Sequence, residues 1–340
     1  METQALLAHW NLTVKSAEPV SGSPRVHRVE TAAGPKVLKR SRIREDEVLF
    51  VHAAQEHLAA SGFHEAPRFQ LARDGRPFVR QGSELWTLTD WVDAERSTLR
   101  RKNQLDLAVG KVAELHERSA GFPAPAQPAD RTRWGAWPEI FRARLDQLGV
   151  FRRLAREART RTAFDRLYMG LLDYHWEQAA TAITLLLRTR YRRLMDLECR
   201  RASICHHDLT HNNIMFRPDG SVHLLDLDYC LADSRLHDVG SMILRHCKRF
   251  GWDLAAAELY IKLYSRNSRD PLSSDELAVL AAFLYWPQDF WQVGLQYYVE
   301  KQPWPLSRFL SSLERKTANR REHEAFLAGF RRRFSPDLTV

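Results

Sequence analysis

Three polar residues past the middle of the chain have the types and the spacing that phosphate chemistry requires: Asp208, Asn213 and Asp226. The first two lie in Ile204-Cys205-His206-His207-Asp208-Leu209-Thr210-His211-Asn212-Asn213-Ile214, a segment of the form H-x-D-x-x-x-x-N. Met215-Phe216 and Val222-His223 flank the turn Pro218-Asp219-Gly220 as a hairpin, and the apolar Leu224-Leu225 then delivers Asp226. A carboxylate such as Asp208 can orient an attacking hydroxyl and accept its proton. An amide oxygen and a second carboxylate can hold Mg²⁺ against a triphosphate, whose leaving charge is otherwise unmet. A short loop and a hairpin return can bring all three groups together, so the spacing predicts one metal–nucleotide site. The alternative is a loop held by Asx turns with no metal. Cys205, His206, His207 and His211 are too crowded for the separated pairs usual in a zinc site, and His206 fits a packed, hydrogen-bonded histidine better. Asp228 stays open between a second-metal or substrate contact and the exposed end of a strand.

The elements that must position these groups differ between the two parts of the chain. Up to about residue 92 the pattern is mainly β. Leu12–Lys15, Arg25–Val29 and Lys36–Arg40 are short strands, with a turn at Ala32-Ala33-Gly34. Val48, Val51 and Leu58 share one face of a helix from about Glu45 to Ala60, ended by Gly62. Phe69–Ala72 and Pro77–Arg80 suggest a hairpin around Arg73-Asp74-Gly75-Arg76, and Glu84–Val92 closes the sheet. Beyond Val92 the pattern turns helical. Leu105, Ala108, Val112 and Leu115 form one apolar face, a proline-rich linker covers Phe122–Asp130, and a long helical tract runs from Trp134 to about Arg200. Ser273 and Glu276 make a capping box for a further helix. Trp286, Phe290, Trp291 and Tyr297 form an aromatic stripe that predicts packing between helices, with an acceptor-pocket wall as the lesser alternative.

Bulk properties set limits. The chain has 340 residues, and its hydrophobic fraction of 44% is that of a globular protein. No apolar run is long enough to span a membrane, and Met1-Glu2-Thr3-Gln4 lacks the start of a secretory signal, so the expected location is cytoplasmic. Cys199, Cys205, Cys230 and Cys247 form no CxxC pair and are expected as buried thiols. A net charge of +9 suits nucleotide phosphates, but no RNP, zinc-finger or basic-zipper pattern accompanies it, so nucleic acid is not an expected partner.

The central segment resembles the catalytic loop of the aminoglycoside phosphotransferase, choline kinase and homoserine kinase superfamily, which is protein-kinase-like. More narrowly, Ile204–Asp208, Asp226-Leu227-Asp228-Tyr229, Leu236-His237-Asp238 and Tyr285–Trp291 resemble the spore-coat protein S family, and the likeness covers nearly the whole chain. The resemblance implies a two-lobed α+β fold, with a small β-rich lobe at residues 1–92, a hinge near Asp90–Asp93 and a larger, mainly helical lobe at 93–340. It implies ATP and Mg²⁺ as cofactors, a small hydroxylated acceptor and a link to other spore-coat proteins. By matched position, Asp208 would be the catalytic base, Asn213 and Asp226 the Mg²⁺ ligands, and His206 the histidine that organises the loop. Asp238 would brace the loop from beneath. Lys39 would reach the α- and β-phosphates, with Glu47 as its ion-pair partner and Glu45 as the alternative. Two features depart from the superfamily. The first turn, Pro19–Pro24, holds only one glycine, and His207 and Asn212 stand where glycine is frequent. The glycine-poor turn motivates a second reading, a catalytically silent kinase fold serving as a coat scaffold. A third, an HD-type metal phosphohydrolase built on His207-Asp208 and His237-Asp238, conflicts with the β-rich first lobe.

Overall fold

The short alternating segments of the N-terminal part pair into an antiparallel sheet of order β1-β2-β3-β5-β4. Its strands are β1 (Val14–Val20), β2 (Ser23–Thr31), β3 (Lys36–Arg40), β4 (Val79–Gln81) and β5 (Glu84–Asp90). The computed structural model describes residues 2–99 and 102–338. Successive side chains on β3 face opposite sides, so Leu38 and Lys39 part company. Leu38 packs with Val29, Val79 and Leu88 against Leu6, Leu7 and Trp10. Leu6 and Leu7 belong to α1 (Glu2–Leu7), a helix too short for its periodicity to register in the sequence. The α2 helix (Glu45–Ala60) lies where the pattern placed it and buries Val48, Phe50, Val51, Ala54 and Leu58. Gly62, at φ +85°, follows its end.

The hairpin expected over Phe69–Arg80 is replaced by one between β4 and β5. Phe69 contributes a single bridge to Thr89, and Ala72 N–H bonds only across the Asp74-Gly75 turn, to Arg76 O at 2.8 Å. The turn chemistry was legible, but its flanks continue into no ladder. A second antiparallel sheet joins β6 (Glu95–Arg96), β7 (Ile214–Phe216) and β8 (Val222–Leu224), in that order. It fixes the hairpin that precedes Asp226.

Helices make up most of the remainder: α3 (Lys102–Arg118), α4 (Trp137–Glu157), α5 (Ala163–Arg188), α6 (Tyr191–Arg201), α7 (Leu236–Phe250), α8 (Leu254–Asn267), α9 (Ser274–Tyr285), α10 (Gln288–Gly294), α11 (Leu306–Thr317) and α12 (Arg320–Phe334). The predicted apolar face of α3 is buried throughout. The capping box forms at α9, where Ser273 N–H donates to Glu276 Oε2 at 2.9 Å and Glu276 N–H donates to Ser273 Oγ at 3.3 Å. An antiparallel sheet followed by a mainly helical part is the α+β arrangement expected. No helix is long and apolar enough to cross a membrane among the described residues.

Two compact units emerge: Met1–Arg133 with Glu198–Asp238 and Arg266–Arg269, and Trp134–Leu197 with Val239–Ser265 and Asp270–Val340. The first contains both sheets and the segment from Ile204 to Asp238. The second is built around stacked rings, with Tyr168 on Phe290 at 4.2 Å and Phe141 on Trp286 at 4.6 Å. The late aromatic stripe therefore packs as core, as its spacing suggested. Cys205, Cys230 and Cys247 are buried thiols; Cys199 is also free but exposed, against expectation, because it lies on the outer side of α6.

Candidate active site

Every candidate site residue named from the sequence lies within the first unit, and the segment around Asp208 is fixed by hydrogen bonds. His206 is fully buried, and its Nε2 donates to Leu225 O at 2.9 Å. That leaves Nδ1 to accept Asp208 N–H at 3.3 Å. Asn213 directs its amide Nδ2 to Asp208 O at 2.8 Å and to Asp208 Oδ2 at 3.1 Å. Leu225 N–H in turn donates to Asn213 O at 2.8 Å. The loop carrying Asp208 and the residue before Asp226 are thus stitched together twice.

Asp238 lies beneath the loop with no solvent exposure. Its carboxylate accepts the backbone N–H of His206 at 2.7 Å and of His207 at 2.9 Å, and lies 3.1 Å from His116 Nε2. Burial by itself would raise its pKa, but the bonds from His116 and His237 hold the carboxyl well below the usual range. His207 adopts φ +64°, a left-handed conformation that explains why glycine is frequent at this place. Here the imidazole stacks on His237 at 3.6 Å and lies 3.0 Å from Asp233. Burial and the neighbouring imidazole push its pKa down to about 4, so it is neutral at pH 7.

Lys39 extends from β3 to the segment after β8. Its Nζ lies 2.6 Å from Asp226 Oδ1 and 2.9 Å from Asp228 Oδ2. Burial disfavours the ammonium, yet the carboxylates of Asp228 and Asp226 overcome that effect and raise its pKa. Burial pushes the Asp228 carboxyl up, partly opposed by Lys39. Asp226 itself is left-handed, at φ +65°, a conformation costly for an aspartate and typical of a position held by its surroundings. Asp228 sits in the middle of a short 3₁₀ turn, Leu227–Tyr229, and is buried, which removes the reading of an exposed strand end.

Glu47 is not the partner of Lys39. Its Oε2 accepts Arg44 N–H at 2.7 Å, closing the first turn of α2, and its Oε1 accepts from Arg131 Nη2 at 3.0 Å. Lys39 pairs with two aspartates instead. Glu45, the alternative, pairs with Arg80. Arg131, only 3% exposed, also donates from Nη1 to Asp228 O at 2.7 Å and Cys230 O at 3.0 Å. The sequence reading missed it, since it follows a proline-rich stretch with no periodicity.

The donor set suits a hard divalent cation. Asp226 and Asp228 already converge on one cationic nitrogen, and Asn213, its Nδ2 committed to Asp208, has Oδ1 left as an acceptor. Among the described residues, one group of acid, histidine and cysteine is close enough to hold an ion: His116, Cys205 and Asp238. It is fully buried, and Asp238 there already serves the loop. The two His-Asp pairs of the phosphohydrolase reading do not gather into such a group among the described residues.

Comparison with known proteins decides the family. The family described as "Spore coat putative kinase YutH" matches residues 4–330. The chain belongs to this family. Spore coat protein S of Bacillus subtilis (strain 168) is 21% identical over 305 residues, covering 89% of this chain and 86% of that protein. Among solved structures, the aminoglycoside phosphotransferase from Alicyclobacillus acidocaldarius superposes with a TM-score of 0.77 at 21% identity, over 98% of this chain and 96% of that one. The spectinomycin phosphotransferase APH(9)-Ia, solved with ADP and spectinomycin, gives 0.59 at 12% identity over 96% of both. The family member described here therefore has the kinase-like fold of the small-molecule phosphotransferases.

Proposed function

We propose that this chain transfers the γ-phosphate of ATP to the hydroxyl of a small molecule, in a role linked to the spore coat. The observation that supports it best is the convergence of Asp226 and Asp228 on Lys39 Nζ beside the bonded pair Asp208–Asn213. In this reading residues 1–92 form the nucleotide lobe, and 93–340 supply the catalytic loop and the acceptor pocket. Asp208 orients the acceptor hydroxyl and takes its proton as the new O–P bond forms and the bond to ADP breaks. Asn213 and Asp226 would hold Mg²⁺, which would supply neutralising charge to the phosphates. Lys39 leaves the aspartates for the α- and β-phosphates, and His206 and Asp238 keep the loop in place. Glu47 acts through Arg131, which ties α2 to the backbone at Asp228.

Purified protein with Mg-ATP and a panel of hydroxylated acceptors should release ADP in an acceptor-dependent way. Asp208→Asn should lower that rate by about 10²–10⁴-fold with the fold intact. The catalytically silent coat scaffold draws on the engagement of Glu47 with Arg131 and on the single glycine of the β1–β2 turn. Mg-ATP binding without transfer to any acceptor, unchanged in Asp208→Asn, would establish that reading instead.

A further inference from the structure

The second unit contains a partly open cavity of about 50 Å³ lined by residues of α5, α7, α9, α10, α11 and α12. Much of its wall is apolar, with Trp252, Trp286, Phe290 and Leu244 contributing. Its polar groups are unbalanced. Gln178 is only 7% exposed, and its Oε1 meets His175 Nδ1 at 3.0 Å while its Nε2 is buried with no partner. His323, stacked on Trp252 at 4.0 Å, likewise has a buried Nε2 with no partner. An unsatisfied buried polar group is costly, and two lining one cavity call for a ligand or ordered water.

The charges point to what kind of ligand. Asp289 is met by Lys248 at 2.5 Å and by Lys316 at 3.7 Å, two ammoniums on one carboxylate. Arg320 is answered by Glu324 at 2.9 Å, and Arg245 adds to the positive field at Asp289. His175 and His323 are both pushed down to about 4 by burial, so neither adds charge at pH 7. The cavity is left with a surplus cation, two unused nitrogens and hydrocarbon walls.

We propose that this cavity binds a small monocarboxylate, its anionic end toward Lys316, Gln178 and His323 and its hydrocarbon end against Trp252 and Phe290. One surplus ammonium matches a single negative charge rather than the several of a nucleotide. The inference does not depend on the proposed phosphotransfer, because none of these residues is among the catalytic, metal-holding or nucleotide-binding groups named above.

Titration calorimetry with sodium butyrate, with butyramide as the uncharged control, tests the proposal on the full chain. Saturable heat with butyrate and none with butyramide is expected. Lys316→Met, which keeps the Lys248–Asp289 pair, should weaken butyrate binding by about tenfold or more. His323→Phe, which keeps the ring stack on Trp252, should weaken it several-fold. Circular dichroism confirms that both variants are folded. No saturable heat up to about 50 mM butyrate, equal binding of butyramide, or undiminished binding to folded Lys316→Met would each overturn the proposal.

Discussion

The loop around Asp208 and the ring cluster around Tyr168 hold their shape by opposite means. In the loop, one carboxylate, Asp238, accepts two consecutive backbone N–H groups and meets a buried histidine. In the cluster, Tyr168 stacks on Phe290 and Phe164, and Phe151 stacks on Tyr298, with no single contact dominant. Directional bonds concentrate the structural role in a few atoms, whereas ring packing spreads it over many. The loop should therefore be fragile to the loss of one group and the cluster fragile to added volume.

The largest effect is expected at Asp238. Asp238→Ala strands two backbone donors and His116, and should cost about 3–5 kcal/mol of stability in urea unfolding. A loss under about 1 kcal/mol would show that the loop does not rest on this carboxylate.

Acid comes next and acts on both regions. His207, His175 and His323 all titrate near 4 in the folded chain, below the ordinary value of 6.5. Between those values the unfolded chain binds protons that the folded chain refuses. Their stabilising contribution is thus complete above about pH 6.5 and is lost as pH falls toward 4, by up to about 1.4 kcal/mol per pH unit for each histidine. An unchanged urea midpoint between pH 7 and pH 5 would contradict buried neutral imidazoles.

Gly294→Ala probes the cluster. A Cβ there would collide with the Tyr168 hydroxyl and come within 2.7 Å of the Phe151 ring, so about 1–3 kcal/mol should be lost. Wild-type stability would mean that the rings yield more readily than their packing suggests. The smallest effect is expected for His207→Gly, which relieves the left-handed strain but removes the stack on His237. The two should nearly cancel, leaving stability within about 1 kcal/mol, and a larger fall would make the imidazole pair itself a structural element.

Local chemistry was legible in the sequence, and partnership was not. The H-x-D-x-x-x-x-N segment, its Asp-Gly hairpin, α2 and the α9 capping box depend on neighbouring residues and lie where the pattern put them. The engagement of Glu47 with Arg131 depends on a loop residue that carries no periodic signal. The burial of Asp228 follows from the 3₁₀ turn that replaces a continued strand. Helix α1 and strand β6 were too short to register, although α1 covers one face of the first sheet.

The bridge from Lys39 to two aspartates has a kinetic corollary. Under the proposed reading, an incoming divalent ion must evict an ammonium that the protein itself supplies. Eviction is favourable only when another anion stands ready to receive the displaced lysine. A triphosphate is such an anion, so metal and nucleotide would enter together, and metal alone would find the position guarded.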